Sequence, residues 1–184
     1  MNKKLLLGIL CIAVVGIGAA SVVADTWMSR YVSFSFTTGS MQNISLFKDC
    51  AASAPPETWT QVVTQGNTYE YTLYVENDGT DLVYITYLPT QVSFDNGQTR
   101  FYITVNVLNF GVKCQMTGNN IPLPIGVQEL PFALPEKNLL QPTGGFPLAP
   151  NKMIKLDVMV RVDSIDLNHV GPWVVPFEVV ACKI

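Results

Sequence analysis

The run TYEYTLYVE, residues 68–76, sets Tyr69, Tyr71, Leu73 and Val75 on one side of an extended chain and Thr68, Glu70, Thr72 and Glu76 on the other. Successive side chains of a strand point to opposite faces, so a period of two describes a strand with one face buried and one in water. The next four residues, Asn77-Asp78-Gly79-Thr80, carry turn chemistry that tolerates positive φ, and DLVYITYL at 81–88 returns as a second strand; together they predict a hairpin.

The same reading extends in both directions. Asp95-Asn96-Gly97 separates TQVSF from RFYITVNVL, whose inner face is Phe101, Ile103, Val105 and Val107. MIKLDVMVRVD sets Ile154, Leu156, Val158, Val160 and Val162 against Lys155, Asp157, Arg161 and Asp163. The closing run, PWVVPFEVVACKI, carries Trp173, Val175, Phe177 and Val179 on one side. Pro176 interrupts it and cannot donate a ladder hydrogen bond, which predicts an edge strand or a bulge. Residues 121–150 hold seven prolines (Pro122, Pro124, Pro131, Pro135, Pro142, Pro147 and Pro150) and read as loop with short extended pieces, with room for one helical turn at 135–140. No other helix is expected after residue 24. About nine strands over one core give an all-β fold, a β-sandwich of the jelly-roll or immunoglobulin-like kind over residues 37–184.

The first 24 of the 184 residues read as a cleaved signal peptide: Lys3 and Lys4 open it, Leu5–Ala24 is uncharged, and Val22 and Ala24 sit at the small-residue positions before a cut. A run of that length could also span a bilayer. Glycines at 8, 16 and 18 and the Ala19-Ala20-Ser21 end without a basic anchor favour cleavage near Asp25, with membrane contact limited to export. Cys11 lies inside the run as a small hydrophobe. Removing Lys3 and Lys4 leaves nine basic and 14 acidic side chains, a net charge of −5. There is no basic stripe, which argues against a nucleic-acid partner. Charged residues make up 14% of the chain, where about 25% is usual, so subunit contacts or attached sugar would have to cover part of the surface. Asn43-Ile44-Ser45 is the single N-glycosylation sequon.

Cys50, Cys114 and Cys182 remain after cleavage. Outside the cytoplasm, one disulfide and one leftover thiol are expected. Sequence does not choose the pair; Cys50 with Cys114 is preferred because Cys182 lies two residues from the end of the chain. The chain is poor in catalytic material. A Ser-His-Asp triad would have to use His169, the one histidine, and DSIDLNHVGP around it reads as a connection between strands. Two-histidine zinc and blue-copper sites are excluded by that count. ENDGTD at 76–81 lacks the spacing and distal Glu of a calcium loop, and Asp163 with Asp166 is a weak alternative ion site. No cofactor, metal site or enzymatic activity is expected.

The stretch SVVADTWMSRYVSFSFTTGS, residues 21–40, places a strand directly beside the cut. Val32, Phe34 and Phe36 alternate with Ser33 and Ser35, and the alternation extends back through Arg30 to Met28. Two readings are open. The segment is the first strand of its own sandwich, or residues 25–36 form a donor strand that completes a neighbouring subunit's sheet through backbone pairing, with alternate side chains seated in pockets. An unfilled groove with open edges is an aggregation hazard unless it has a dedicated occupant.

Asp25-Thr26-Trp27, FTTGSMQNISL at 36–46, GNTYEYTLYVENDGTDLVYITYL at 66–88 and, more weakly, FEVVACKI at 177–184 resemble the TasA and camelysin group of exported matrix-fibre proteins. The prolines and cysteines of the middle region depart from the bacterial pattern and are more similar to archaeal bundling-pilus subunits. These pieces cover 45 of the 160 residues from Asp25 onward, a little over a quarter. The resemblance implies a jelly-roll subunit that polymerises with identical copies by donor-strand complementation into cell-surface filaments, which bundle with neighbouring filaments in biofilms. Some members of the group carry a metallopeptidase label, for which this chain offers no ligand set. The rival expectations are a type IV pilin-like subunit that keeps Leu5 onward as a polymerising helix, and a monomeric secreted binding module.

Overall fold

The computed structural model describes residues 29–38, 44–116, 129–137, 144–166, 168 and 172–183, with side chains in the first of these segments described at 33–35. Eleven strands run in the order β1 (Ser29–Thr38), β2 (Ile44–Phe47), β3 (Trp59–Thr64), β4 (Thr68–Asn77), β5 (Val83–Leu88), β6 (Gln91–Phe94), β7 (Thr99–Gly111), β8 (Phe132–Ala133), β9 (Phe146–Leu148), β10 (Met153–Ser164) and β11 (Trp173–Cys182). They form two sheets. One has the order β3-β1-β11-β5-β9; the other has β2-β4-β10-β7-β6, with β8 also on β7. Nearly every successive strand changes sheet, and only β6, β7 and β8 stay together, so the chain winds around the core rather than meandering across it. Helical structure among the described residues is confined to 3₁₀ geometry, at Asp95–Gly97 and at Gly144.

The alternating faces read from the sequence are the core. Ile154, Leu156, Val158, Val160 and Val162 on β10, at the centre of its sheet, are at most 2% exposed. Across the sandwich Trp173, Val175, Phe177 and Val179 of β11 are at most 3% exposed. Phe101, Ile103, Val105 and Val107 of β7 are buried beside them. Aromatic side chains join the layers: Phe101 meets Trp173 edge to face at 6.4 Å, and Phe110 meets Phe146 at 6.0 Å. The Tyr87 hydroxyl donates across the core to Ile103 O at 3.0 Å. Burial and then the charge of Glu136 push that phenol above its ordinary range, which keeps it a donor.

Four expectations change. Asn77–Thr80 does not close a hairpin, because β4 ladders to β10 and β2 while β5 ladders to β11 and β9 in the other sheet. Two-residue hairpin turns require positive φ. Among the described residues the left-handed ones include Asp95 (φ 53°), Asn96 (φ 54°) and Gly97 (φ 86°), where β6 and β7 do pair, and none between 77 and 83. Asn77 is instead the hinge of a sheet crossing. Its buried amide nitrogen donates to Asp81 O (2.8 Å) and Leu148 O (2.9 Å), and its side-chain oxygen accepts from Gly79 N (2.9 Å).

Pro176, second, is not on an edge strand: β11 has β1 on one side and β5 on the other. The β5 ladder begins only at Glu178, two residues beyond the proline, so at Pro176 β11 is laddered to β1 alone. Third, the described part of the suggested helical turn is extended, with Glu136 bridging Tyr87; residues 138–140 lie outside the described residues. Fourth, the described residues hold eleven strands rather than about nine, the added ones including β3 and the short β8 and β9 of the proline-rich region.

Candidate assembly site around the first strand

β1 occupies a slot inside the first sheet. It runs antiparallel to β3, from Ser29↔Thr64 to Phe34↔Trp59, and parallel to β11, from Val32↔Trp173 to Thr38↔Val179. The β1–β11 ladder is parallel, whereas the strands on either side of that pair join antiparallel. β3 stands at the edge of the order, so β1 is what ladders it to the rest of the sheet. Of the residues assigned to this strand from sequence, Phe34 has a described side chain and Arg30, Val32 and Phe36 have a described backbone register; Met28 lies outside the described residues.

Phe34 is the anchor. It is 1% exposed, stacks on Trp59 with ring centroids 4.8 Å apart, and lies opposite Val175 of β11. Trp59 in turn meets Tyr71 of β4 at 5.3 Å, so Phe34 is tied through one indole to the second sheet. Ser33 and Ser35 take the outer face, half-buried, and the Ser33 hydroxyl lies 3.3 Å from that of Thr60. Their neighbours on that face include Val62 and Val174, which are 41% and 54% exposed. Small hydroxyls here leave the outer face flat without adding charge.

The walls of the slot are held independently of β1. Trp173, where β11 begins, donates its indole N–H to Asp95 Oδ2 at 2.9 Å, and the Thr99 hydroxyl donates to the same oxygen at 3.0 Å. The carboxylate thereby fastens the start of β11 to the β6–β7 turn. At the far end of β3, Thr64 N donates to the Tyr69 hydroxyl at 2.8 Å, and residues 66–67 clamp onto Val162 through Gly66 N to Val162 O (2.8 Å) and Val162 N to Asn67 O (2.9 Å). Val63 between them is fully buried.

The favoured cysteine pair is brought together. Cys50, in the connection from β2 to β3, and Cys114, just past β7, have sulfurs 2.7 Å apart, and Cys114 N donates to Cys50 O at 3.1 Å. The Cys114 thiol is held above its ordinary range, first by the hydrogen bond with Cys50 and then by desolvation and nearby negative charge. Cys182 sits on β11 opposite Tyr84, in the other sheet. Beside the pair, Lys113 reaches the nearly buried Glu76 at 2.8 Å and lies over the Phe47 ring at 5.7 Å. Asn43 and His169 lie outside the described residues.

The carboxylates of the two weak ion-site readings have ordinary partners. Asp163 faces Arg161 (3.5 Å) and Arg100 (3.7 Å), Asp166 accepts from Asn168 N (2.9 Å), Asp78 accepts from the Ser45 hydroxyl, and Asp81 pairs with Lys183 (2.7 Å). Among the described residues no three His, Cys, Asp or Glu side chains group as a metal site, and no helix is long and apolar enough to cross a membrane. Sequence reading missed β3 and with it Trp59 and Thr60. WTQVVT is short and puts Val62 and Val63 on opposite faces, so its alternation is broken; its aromatic and β-branched content was the usable signal. Comparison with protein-family models, with curated proteins and with solved structures finds no match to this chain.

Proposed function

We propose that the protein is the structural subunit of an extracellular filament, exported by its leading segment and polymerising head-to-tail with identical copies by exchange of β1. One observation carries the reading: β1 fills a slot between an edge strand that it alone ladders and a β11 that runs parallel to it. It is also the earliest of the described strands, so withdrawing it threads past no other. Five residues, 39–43, separate it from β2, which allows a reach of roughly 17 Å when extended.

The contacts are the same whether β1 comes from its own chain or from a neighbour. Within one chain they form at an effective concentration of order millimolar. Exchange therefore prevails when subunits are crowded at the surface, or when β1 is engaged by a neighbour before its own slot captures it. Donor and acceptor surfaces differ, so the contact is heterologous and propagates when it does not close into a ring. The resemblance to matrix-fibre and bundling-pilus subunits is in keeping with this reading, and the sparse charge suits lateral bundling. No enzymatic role enters it.

A second reading has its own support: in the single chain, β1 completes its own sheet, as expected for a self-contained secreted binding module. Replacing Ser33 and Thr60 by cysteine separates the two, since these residues face each other across the β1–β3 ladder. Oxidised surface material should give a covalent ladder of multimers, with the 33–60 link mapped between chains by mass spectrometry of isotopically mixed subunits. A link found only within one chain would establish the monomeric module instead.

A further inference from the structure

We propose that Cys50 and Cys114 form a disulfide whose role is to pin the leading end of β3, the outer wall of the β1 slot. The bond itself follows from geometry at the site. The sulfurs are in contact at 2.7 Å, and the Cys114 N–H to Cys50 O hydrogen bond (3.1 Å) brings the two backbones together, so the pair is placed to be oxidised. Cys114 is exposed and Cys50 half-buried, so an oxidant can reach the pair.

The role follows from what the bond would tie. The β2–β3 connection is bound mainly to itself: Asp49 accepts from Ala51 N (2.9 Å), Ser53 N (3.2 Å) and the Ser53 hydroxyl, Lys48 N donates to Ala54 O (3.1 Å), and Lys48 pairs with Glu57 (2.8 Å). This small folded loop leads directly into β3. The trailing end of β3 is fastened to β10 through residues 66–67, as described above. The leading end is fastened to the second sheet through the Cys50–Cys114 contact. β3 is thus a strand whose ladder runs through β1 and whose two ends are moored elsewhere. With both moorings in place the wall keeps its position while β1 is away, and the slot stays open for an incoming strand. This consequence for assembly rests on the exchange reading; the disulfide and its hold on β3 do not.

The chemistry balances with a small disulfide or a disulfide-bearing oxidoreductase as the oxidant. The thiolate of one cysteine attacks the oxidant's S–S bond and displaces one thiolate; the second cysteine attacks the mixed disulfide and displaces the other. One S–S bond forms as one is broken. Two protein thiols lose a proton and an electron each, and the oxidant leaves as two thiols.

The test uses the secreted full-length chain. A non-reducing digest should contain a peptide linking Cys50 to Cys114, with Cys182 outside it; free thiols at both positions, or either one linked to Cys182, would overturn the proposal. Hydrogen exchange is then compared between the oxidised protein, the same protein reduced, and the Cys50→Ser/Cys114→Ser variant. Amides of residues 48–64 should exchange at least about tenfold faster in the last two, while those of β10 keep their protection. Reduction without mutation guards against a folding defect in the variant. Unchanged protection across 59–64 would refute the mooring role even with the bond present. The Ser33–Thr60 crosslink is read separately: a link confined to one chain removes filament assembly, whereas the exchange result still decides whether the disulfide holds β3.

Discussion

On the proposed exchange of β1, Phe34→Ala should loosen the joint between subunits while leaving the sandwich folded. The ring is 1% exposed and stacked at 4.8 Å on Trp59, with Val175 opposite, so its removal leaves a cavity that two flanking strands cannot close. Phe→Ala in such a site costs about 3–5 kcal/mol, of which the aromatic pair accounts for about 0.5–1.5. At about 1.4 kcal/mol per factor of ten, β1 docking should weaken by roughly two to three and a half orders of magnitude. The assay is guanidinium titration of surface filaments, following disassembly by light scattering and subunit unfolding by tryptophan fluorescence. Leu156→Ala is the control. That side chain is fully buried on β10, in the sheet that does not contain β1, and its loss costs about 2–5 kcal/mol. It should lower the unfolding midpoint and leave disassembly of folded subunits near its original value; Phe34→Ala should do the reverse. Filaments of Phe34→Ala that resist denaturant as the unmodified ones do would refute the assignment of Phe34 as the anchor of the joint.

Asn77→Ala removes three side-chain hydrogen bonds from a fully buried position and strands the Asp81 and Leu148 carbonyls, so chemical denaturation should show a loss of about 2–4 kcal/mol. Gly145→Ala drives a methyl into the Ile85 backbone, with Ile85 C and Thr86 Cγ2 both 2.8 Å from the new carbon; it should cost about 1–3 kcal/mol or more and free the short β9 edge, visible as faster hydrogen exchange at 146–148. Lys113→Met tests an ion pair by its pH dependence. Glu76 holds the Lys113 ammonium above the usual lysine value of 10.5, so the pair's contribution is fully present below that value and fades as pH rises through the folded-state value. The stability gap between Lys113→Met and the parent should be flat from pH 7 to 9 and narrow above about 10.5; a gap that holds its size at higher pH would show that packing on Phe47, not charge, is what Lys113 supplies.

Which residues are buried was legible because burial on a strand is written locally. The inner faces of β7, β10 and β11 follow from the period-two alternation of Phe101 to Val107, Ile154 to Val162 and Trp173 to Val179, since each side chain's direction depends only on its neighbours in the chain. The turn at Asp95-Asn96-Gly97 was legible for the same reason: positive φ is a property of the residues that adopt it. Of the slot, Phe34 could be picked out as an inward-facing aromatic, and Cys50 with Cys114 as the favoured pair, but not Trp59, whose strand shows little alternation.

Which strand lies beside which was not legible, because ladder hydrogen bonds join backbone to backbone and are nearly indifferent to side-chain identity. Asn77-Asp78-Gly79-Thr80 looks like a hairpin turn, yet the buried Asn77 amide satisfies the Asp81 carbonyl of its own connection and the distant Leu148 carbonyl, and the chain crosses to the opposite sheet. Pro176 suggests an edge and sits in a strand with neighbours on both sides, at a point where that strand is laddered to β1 alone. The amino-acid sequence alone determined that this is a two-faced, all-β chain and which side chains form its core. Only the tertiary structure decided that the first strand lies between the third and the last, parallel to the latter, because that placement depends on the shape of a slot assembled from residues more than a hundred positions apart.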